Sequence, residues 1–337
     1  MPRLRRSDCS GPGLTRVRRG RGFSYLEGDG TPIEDHEVME RIRELAIPPA
    51  WKEVWICPQA HGHIQATGID EAGRKQYLYH QQWRQHRDRE KFNEMLEFAA
   101  ALPRLRGRVV DDLGRRGLAR DRVLGCTVRL LDLGFFRIGS EQYAAENETY
   151  GLATLRKSHV EIKGVSAIFD YRAKGAKRHR REIEDELVMP TLRALKKRNG
   201  GGRELFAFRV GRSGWADVKS SDINDYLKET AVGDFSAKDF RTWNATVLAA
   251  VAVANEEVPE TKAARKRVVN TAVKKVAGYL DNTPAVCRSA YIDPRVFDRF
   301  EQGETIRGSL ERIVSGAGPD EFPDREKIEA AVRRLVS

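Results

Sequence analysis

The sequence lacks any apolar run near the roughly 20 residues needed to cross a bilayer, so no membrane span is expected. It lacks an apolar leader as well, and the expected location is the cytoplasm. Cysteine is sparse. Cys9, Cys57, Cys126 and Cys287 are scattered with no C-x-x-C pair, which argues against a disulfide framework and for reduced, structural thiols. No Cys and His spacing marks a metal site; His61 and His63 stand in a glycine-flanked turn without further ligands nearby. There is no GxGxxG, no P-loop and no internal repeat, so neither a nucleotide nor another cofactor is expected. Acid is outweighed by base: 60 Lys and Arg against 49 Asp and Glu leave a formal charge of +11. An excess of that size suits a polyanionic partner, either nucleic acid or an anionic surface. The 337 residues exceed one core of ordinary size, and two domains are expected.

Residues 1–22 are Arg- and Gly-rich with few apolar side chains, and a flexible basic arm is expected there. A β-rich N-terminal domain over 23–90 follows. It begins with a strand at 23–26 and the turn Gly28-Asp29-Gly30. A helix over 36–45 has Val38, Ile42 and Leu45 at helical spacing and is ended by Ile47-Pro48-Pro49. Segments 51–57, 63–67 and 74–80 read as strands. The last sets Lys75, Tyr77 and Tyr79 on one face, with Gln76 between them. Cations for phosphates and amides or phenols for base edges fit nucleic-acid contact; a half-exposed edge strand is the plain alternative.

Residues 91–337 read as mainly helical. Helices are expected at 92–101, after which Leu102-Pro103 interrupts, and at 109–117. A strongly apolar helix over 121–136 delivers Arg137 at its end. A β-hairpin lies within 159–173. Its far end, Arg172-Ala173-Lys174-Gly175-Ala176-Lys177-Arg178-His179-Arg180, holds no acid and is either a solvated loop or a place where Lys174 can be lifted to a substrate. Further helices are expected at 181–198, 220–230, 237–255, 260–280, 295–302 and 325–336, with Asp324 capping the last, and a strand at 204–210. Residues 284–290 form a short turn or helix presenting Tyr291. Arg241 stands near the start of the most apolar helix, where the dipole disfavours a cation; a bound anion or a carboxylate such as Asp239 is the expected partner. The fold class is α+β: a small β-rich domain, then a larger, mainly α-helical one containing a β-hairpin.

The candidate chemistry rests on Arg137, Lys174, Arg241, Asn282 and Tyr291. A free phenol has a pKa of about 10 and is a poor nucleophile unless cations and donors surround the reacting atoms. Attack on a phosphodiester builds charge on two nonbridging oxygens, which Arg137 and Arg241 can hold with their forks. Lys174 is a candidate general acid for the leaving 5′-oxygen, and Asn282 a candidate hydrogen-bond donor. Two guanidinium groups remove the need for a divalent ion.

These residues stand within ordered motifs. They include Ile47-Pro48-Pro49-Ala50-Trp51, Val54-Trp55-Ile56, Gly62-His63-Ile64-Gln65-Ala66-Thr67-Gly68 and Gly73-Arg74-Lys75-Gln76-Tyr77. Further on come Phe136-Arg137-Ile138-Gly139, Glu146-Asn147-Glu148-Thr149-Tyr150-Gly151, Lys174-Gly175, Ala237-Lys238-Asp239-Phe240-Arg241-Thr242-Trp243 and the stretch from Asn282 to Tyr291. Over about residues 15–305 the chain resembles a bacterial member of the type IB DNA topoisomerases, the poxvirus-like branch.

The resemblance implies a clamp around duplex DNA and an isomerase that relaxes positive and negative supercoils. It implies attack by Tyr291, a transient 3′-phosphotyrosyl link, swivelling of the freed strand and religation, without ATP or an obligatory metal. It further implies a monomer with no membrane partner, associated with the nucleoid. By position, Arg137, Lys174 and Arg241 carry the matching roles. Asn282 stands where many relatives have His, and an amide can still donate. Asp281 stands where Gly is common, and its acid is unhelpful beside the scissile phosphate unless it points away. Gln76, Tyr77 and Tyr143 match base-contacting groups, Lys75, Lys177 and Arg178 add basic contacts, and Ser140 replaces a base-contacting Lys, so strict site preference is not expected. A tyrosine recombinase shares this chemistry and is the alternative, with a non-catalytic DNA clamp a third reading; the Trp-rich β domain and Asn282-Thr283-Pro284 favour the topoisomerase.

Overall fold

A computed structural model describes residues 3–134, 136–316 and 324–337. It divides the chain into two units, Met1–Asn93 and Glu94–Ser337, against a boundary expected between residues 90 and 91.

In the first unit, β1 (Leu14–Arg19), β2 (Gly22–Leu26), β3 (Lys52–Ile56), β4 (Ile64–Ile69) and β5 (Lys75–Tyr79) form one antiparallel sheet in the order β2-β1-β3-β4-β5. Helix α1 (His36–Glu44) follows β2 in the chain and is capped by Asp35, whose Oδ1 accepts from the Glu37 amide at 2.8 Å. Leu14, Ile33, Ile42, Ile47, Val54, Ile56 and Ala66 make the core. Close packing explains one motif glycine: a Cβ on Gly68 would lie 2.7 Å from Trp51 Cε3.

The expected flexible arm over 1–22 is corrected here, residues 1 and 2 lying outside the described residues. Leu14 is buried and β1 lies inside the sheet. Arg16 is half-buried. Its guanidinium lies 4.2 Å over the Phe23 ring and donates to the carbonyls of Ile47, Pro48 and Trp51 at 3.1, 3.0 and 2.7 Å. The Arg stem covers apolar surface while the fork satisfies carbonyls of the proline turn.

Helix α2 (Gln81–Leu113) carries Pro103 within it, so the interruption expected there does not occur. Pro103 is on the exposed face, where water can take the freed carbonyl, while Leu102, Leu105, Val109 and Leu113 are buried opposite. In the second unit α3 (Arg120–Gly134) and α4 (Glu141–Asn147) precede a three-stranded antiparallel sheet, β6 (Val160–Lys163), β7 (Ser166–Arg172) and β8 (Arg178–Glu184), in that order. The helix expected over 181–198 is therefore wrong in its first half; α5 is Met189–Lys197. Strand β8 buries His179 and Ile183 alternately, and the charged residues between them hid that period of two.

A hairpin of β9 (Ala207–Val210) and β10 (Gly214–Asp217) follows, its second strand not foreseen. Then come α6 (Ser220–Ala231), α7 (Ala237–Ala254), α8 (Lys262–Leu280), α9 (Pro284–Ala290), α10 (Arg295–Glu301), the unforeseen α11 (Arg307–Ser315) and α12 (Arg325–Val336). Asp324 caps α12, accepting from the Lys327 amide at 3.1 Å. Phe98 of α2 meets Phe240 of α7 edge to face at 4.9 Å, beside buried Trp243.

A polar knot joins these helices. Asp132 accepts from Arg106 at 2.9 and 3.1 Å and from Arg325 at 2.8 Å, and Arg106 also pairs with Glu329 at 2.8 Å. Burial alone would raise the Asp132 carboxyl, but Arg325 and Arg106 overcome it and hold it below its usual value. Among the described residues no helix is long and apolar enough to cross a membrane.

Candidate active site

Arg137 follows α3 on a segment fixed by glycine. The Leu152 and Ala153 amides donate to the carbonyls of Arg137 and Ile138 at 2.9 and 2.8 Å. That approach is possible because Gly139 and Gly151 meet backbone to backbone; a Cβ on Gly151 would lie 2.4 Å from the Gly139 nitrogen. Two sequence motifs thus serve one purpose, the aim of Arg137. Its Nη2 donates to Asn282 Oδ1 at 2.9 Å, with the carbonyls of Asp281 and Leu280 at 3.3 and 3.4 Å.

Arg241 is buried near the start of α7 and donates to the Leu280 carbonyl at 2.8 Å. Its guanidinium lies 5.3 Å over the Tyr291 ring and hydrogen-bonds that side chain. The expected partner Asp239 instead accepts from the amide and hydroxyl of Ser236. Burial, then the neighbouring charge of Arg137, pushes the Arg241 guanidinium below its usual pKa. The carbonyl end of α8 offsets part of that strain, since it carries partial negative charge.

Tyr291 ends α9. Thr283 caps that short helix, accepting from the Val286 amide at 3.3 Å, with Pro284 in its first turn. Thr246 of α7 donates to the Tyr291 carbonyl at 3.4 Å and accepts from the Asp293 amide at 3.1 Å, so α7 positions both Arg241 and the segment bearing Tyr291. Asn282 Nδ2 is buried and has no partner among the described residues. An orphaned buried donor is unfavourable by roughly 1–3 kcal/mol and points to an acceptor that arrives with substrate.

The structure therefore brings Arg137, Arg241, Asn282 and Tyr291 together. Lys174 is placed differently. It is exposed at the tip between β7 and β8, where Gly175 has φ 77°, and its Nζ lies 6.0 Å from the Tyr143 ring. Tyr143 itself is exposed on α4. On β5, Lys75, Tyr77 and Tyr79 do share the exposed face, the two rings 6.1 Å apart, while Gln76 donates to Asp70 at 2.9 Å. Lys177 is exposed, and Arg178 is held by Asp170 through two hydrogen bonds of 2.7 and 2.5 Å.

The sequence reading did not single out Tyr171 and His179, which are buried beside the same cluster, within reach of the charges of Arg137 and Asp281. Tyr171 is 4% exposed, and burial pushes its phenol well above its ordinary range despite the pull of Arg137. It is the less accessible of the two phenols, Tyr291 being half-buried. His179 Nδ1 lies 2.5 Å from Asp281 Oδ2, so the acid beside Asn282 is turned onto a histidine. Alternation over 178–184 was the signal for both the strand and its buried histidine.

A phenol under one guanidinium group, with a second guanidinium close to the first and an amide donor unpaired among the described residues, on a helical unit that follows a β-rich one, fits an enzyme that transfers a phosphoryl group to tyrosine. The family model of the bacterial DNA topoisomerase IB N-terminal domain matches residues 22–70, and that of the eukaryotic DNA topoisomerase I catalytic core matches residues 80–312. DNA topoisomerase 1B of Acanthamoeba polyphaga mimivirus is 30% identical over 287 residues, 83% of this chain and 85% of the viral one. DNA topoisomerase I of Monkeypox virus is 22% identical over 297 residues, 86% of this chain and 88% of its own. The chain belongs to the type IB DNA topoisomerases, and its class of enzyme is an isomerase. That membership decides for the topoisomerase over the recombinase and the passive clamp.

Proposed function

We propose that the enzyme relaxes supercoiled duplex DNA by a reversible transfer of one strand to Tyr291. The observation that supports this most is the pairing of an orphaned, buried Asn282 Nδ2 with a guanidinium stationed over the Tyr291 ring. The Tyr291 oxygen attacks the scissile phosphorus and its proton passes to solvent; the bond to the 5′-oxygen breaks, and that oxygen takes a proton from Lys174. Arg137 and Arg241 hold the nonbridging oxygens, and Asn282 Nδ2 donates to one of them. The 5′-hydroxyl strand swivels and then attacks the 3′-phosphotyrosyl phosphorus, reversing each transfer. Two guanidinium charges do the neutralising that a divalent ion would otherwise supply, and the energy of the broken bond is kept in the phosphotyrosine, so ATP has no step to drive.

For Lys174 to act, the exposed β7–β8 tip must fold down onto the phosphate. Lys75, Gln76, Tyr77, Tyr143 and Lys177 contact the duplex, and Arg178 does so by exchanging Asp170 for a phosphate. The enzyme acts as a monomer on the nucleoid. The test is relaxation of supercoiled plasmid in EDTA without ATP, with Tyr291→Phe alongside. Full relaxation by the wild type and neither relaxation nor covalent adduct by Tyr291→Phe are expected. An adduct in Tyr291→Phe would refute the assignment.

A further inference from the structure

We propose that His179 and Asp281 form a latch that positions the active-site turn and keeps a carboxylate off the catalytic cations. The inference rests on the reading of the Tyr291 pocket given above. Asp281 is the C-cap of α8 and has φ 53° and ψ 42°, the left-handed region that favours glycine. A residue with a side chain there is strained, so its side chain must contribute something glycine cannot. The carboxylate reaches His179 Nδ1 at 2.5 Å. The main chain of the same turn offers the Leu280 and Asp281 carbonyls to Arg137, gives the Leu280 carbonyl to Arg241, and continues into Asn282.

Strand β8 is what grips this turn. His179 is 4% exposed and packs on Phe136 and Tyr171, with ring centroids 5.5 and 5.0 Å away. Phe136 immediately precedes Arg137. Two residues along, on the same face of β8, Arg181 Nη2 donates to the Tyr279 carbonyl at 2.5 Å. His179 Nε2 is buried with no partner among the described residues, so holding Asp281 is the described polar contact of the ring. Burial pushes His179 below its usual pKa despite the pull of Asp281, and Arg181 and Arg137 push the same way. The ring is then neutral at neutral pH, with Nδ1–H donating to the carboxylate.

Cutting the latch has two separable effects. Without the hydrogen bond the turn loses its side-chain anchor. With Asp281 still present, the freed carboxylate swings to Arg137 or Arg241 and cancels charge needed by the phosphate. In single-turnover cleavage of duplex DNA, Asp281→Gly shows the first effect alone, a loss of about tenfold. His179→Phe shows both, a loss on the order of 100-fold. The double variant His179→Phe/Asp281→Gly is expected to cleave faster than His179→Phe and to match Asp281→Gly.

Asp281→Asn keeps an acceptor for Nδ1–H and recovers most of the loss seen with Asp281→Gly. Thermal unfolding separates positioning from folding: Asp281→Gly relieves the strained backbone but leaves the buried Nδ1–H unpaired, so the two terms oppose each other and the rate falls by more than the small net change in Tm accounts for. Wild-type rate in His179→Phe, or a double variant slower than His179→Phe, overturns the proposal. If His179→Phe does not fold, the Gly and Asn variants of Asp281 decide alone: equal rates in both overturn it. Tyr291→Phe in the same assay reports on the pocket reading separately, since it must abolish the adduct whether or not the latch exists.

Discussion

Removal of the Asn282 amide should separate catalysis from stability more cleanly than removal of either arginine. In Asn282→Ala the pocket loses Nδ2, the buried donor without a partner, and Oδ1, which accepts from Arg137 at 2.9 Å. Losing one donor to an oxygen that gains charge in the transition state slows reaction by about 10²–10³-fold. The stability terms oppose each other. An orphaned donor disappears, worth about 1–3 kcal/mol, and a charge-assisted bond is lost, worth about 1.5–3 kcal/mol. Arg137 keeps the Asp281 and Leu280 carbonyls at 3.3 and 3.4 Å, so its side chain is not set adrift. The net change in folding stability is therefore close to zero. The assay is single-turnover cleavage of a duplex whose short 5′-hydroxyl fragment diffuses away, read as trapped adduct against time, with urea unfolding of the same preparation. Asn282→Asp sharpens it: the isostere keeps an acceptor for Arg137 but sets a carboxylate oxygen against the phosphate, and should be slower than Ala. A rate for Asn282→Ala within threefold of wild type, or a rate loss matched by a loss of stability, would refute the reasoning.

Lys174→Ala should slow cleavage of ordinary DNA greatly, and a 5′-bridging sulfur, which leaves without needing a proton, should restore most of the rate; no recovery removes Lys174 from the acid's role. Asp132→Ala leaves Arg106 and Arg325 without the carboxylate that both bond, and breaking such a buried network should destabilise the helical unit by about 3–5 kcal/mol in urea. For His179 the unfolded chain takes up a proton near pH 6.5, whereas the folded chain, with its pKa lowered, takes it up only at lower pH. Stability therefore falls as pH drops below about 6.5, by up to about 1.4 kcal/mol per pH unit. Asp281, Arg181, Arg137 and Tyr171 surround the ring, and urea midpoints at several pH values should be flatter in His179→Phe than in wild type.

What could be read from the sequence was whatever depends on local pattern. Tyr291 follows a cap-and-proline start at Thr283 and Pro284, so its place at the end of a short helix was legible. Arg241 stood out because a cation near the start of an apolar helix needs a partner. Its actual partner, the Leu280 carbonyl, lies 39 positions away, and no local rule chooses it over Asp239. The same holds for Arg16, whose acceptors lie 31 to 35 positions on; composition alone made its strand look like a solvated arm. Pro103 was read as a break because local sterics were weighed without the buried face opposite it. His179 was missed because the alternating strand was divided, its first residues read as a basic hairpin end and the rest, rich in Arg and Glu, as the start of a helix, and with it went the explanation of Asp281. Its acid does point away from the cations, as the chemistry required, but only the fold shows onto what.

The choice of partners for the two arginines has a consequence for the charge available to substrate. Had Arg137 and Arg241 been held by carboxylates, each ion pair would have been nearly neutral, and a phosphate would have had to displace an acid to gain a hydrogen bond. The acceptors seen here are carbonyls at the end of α8 and the amide oxygen of Asn282. These orient the forks through dipoles and leave the full charge in place. Two like charges in one partly buried pocket repel, and the lowered pKa of Arg241 registers both that repulsion and the burial. The strain is tolerable because a helix end carries about half a unit of negative charge, and it is relieved when an anion enters. Asp281 is an acid whose charge reaches Arg241, and it sits at the very residue whose main-chain carbonyl serves Arg137. An enzyme that keeps a carboxylate there must hold it away, which is why its contact with His179 bears on the strength of the anion site as well as on the shape of the turn.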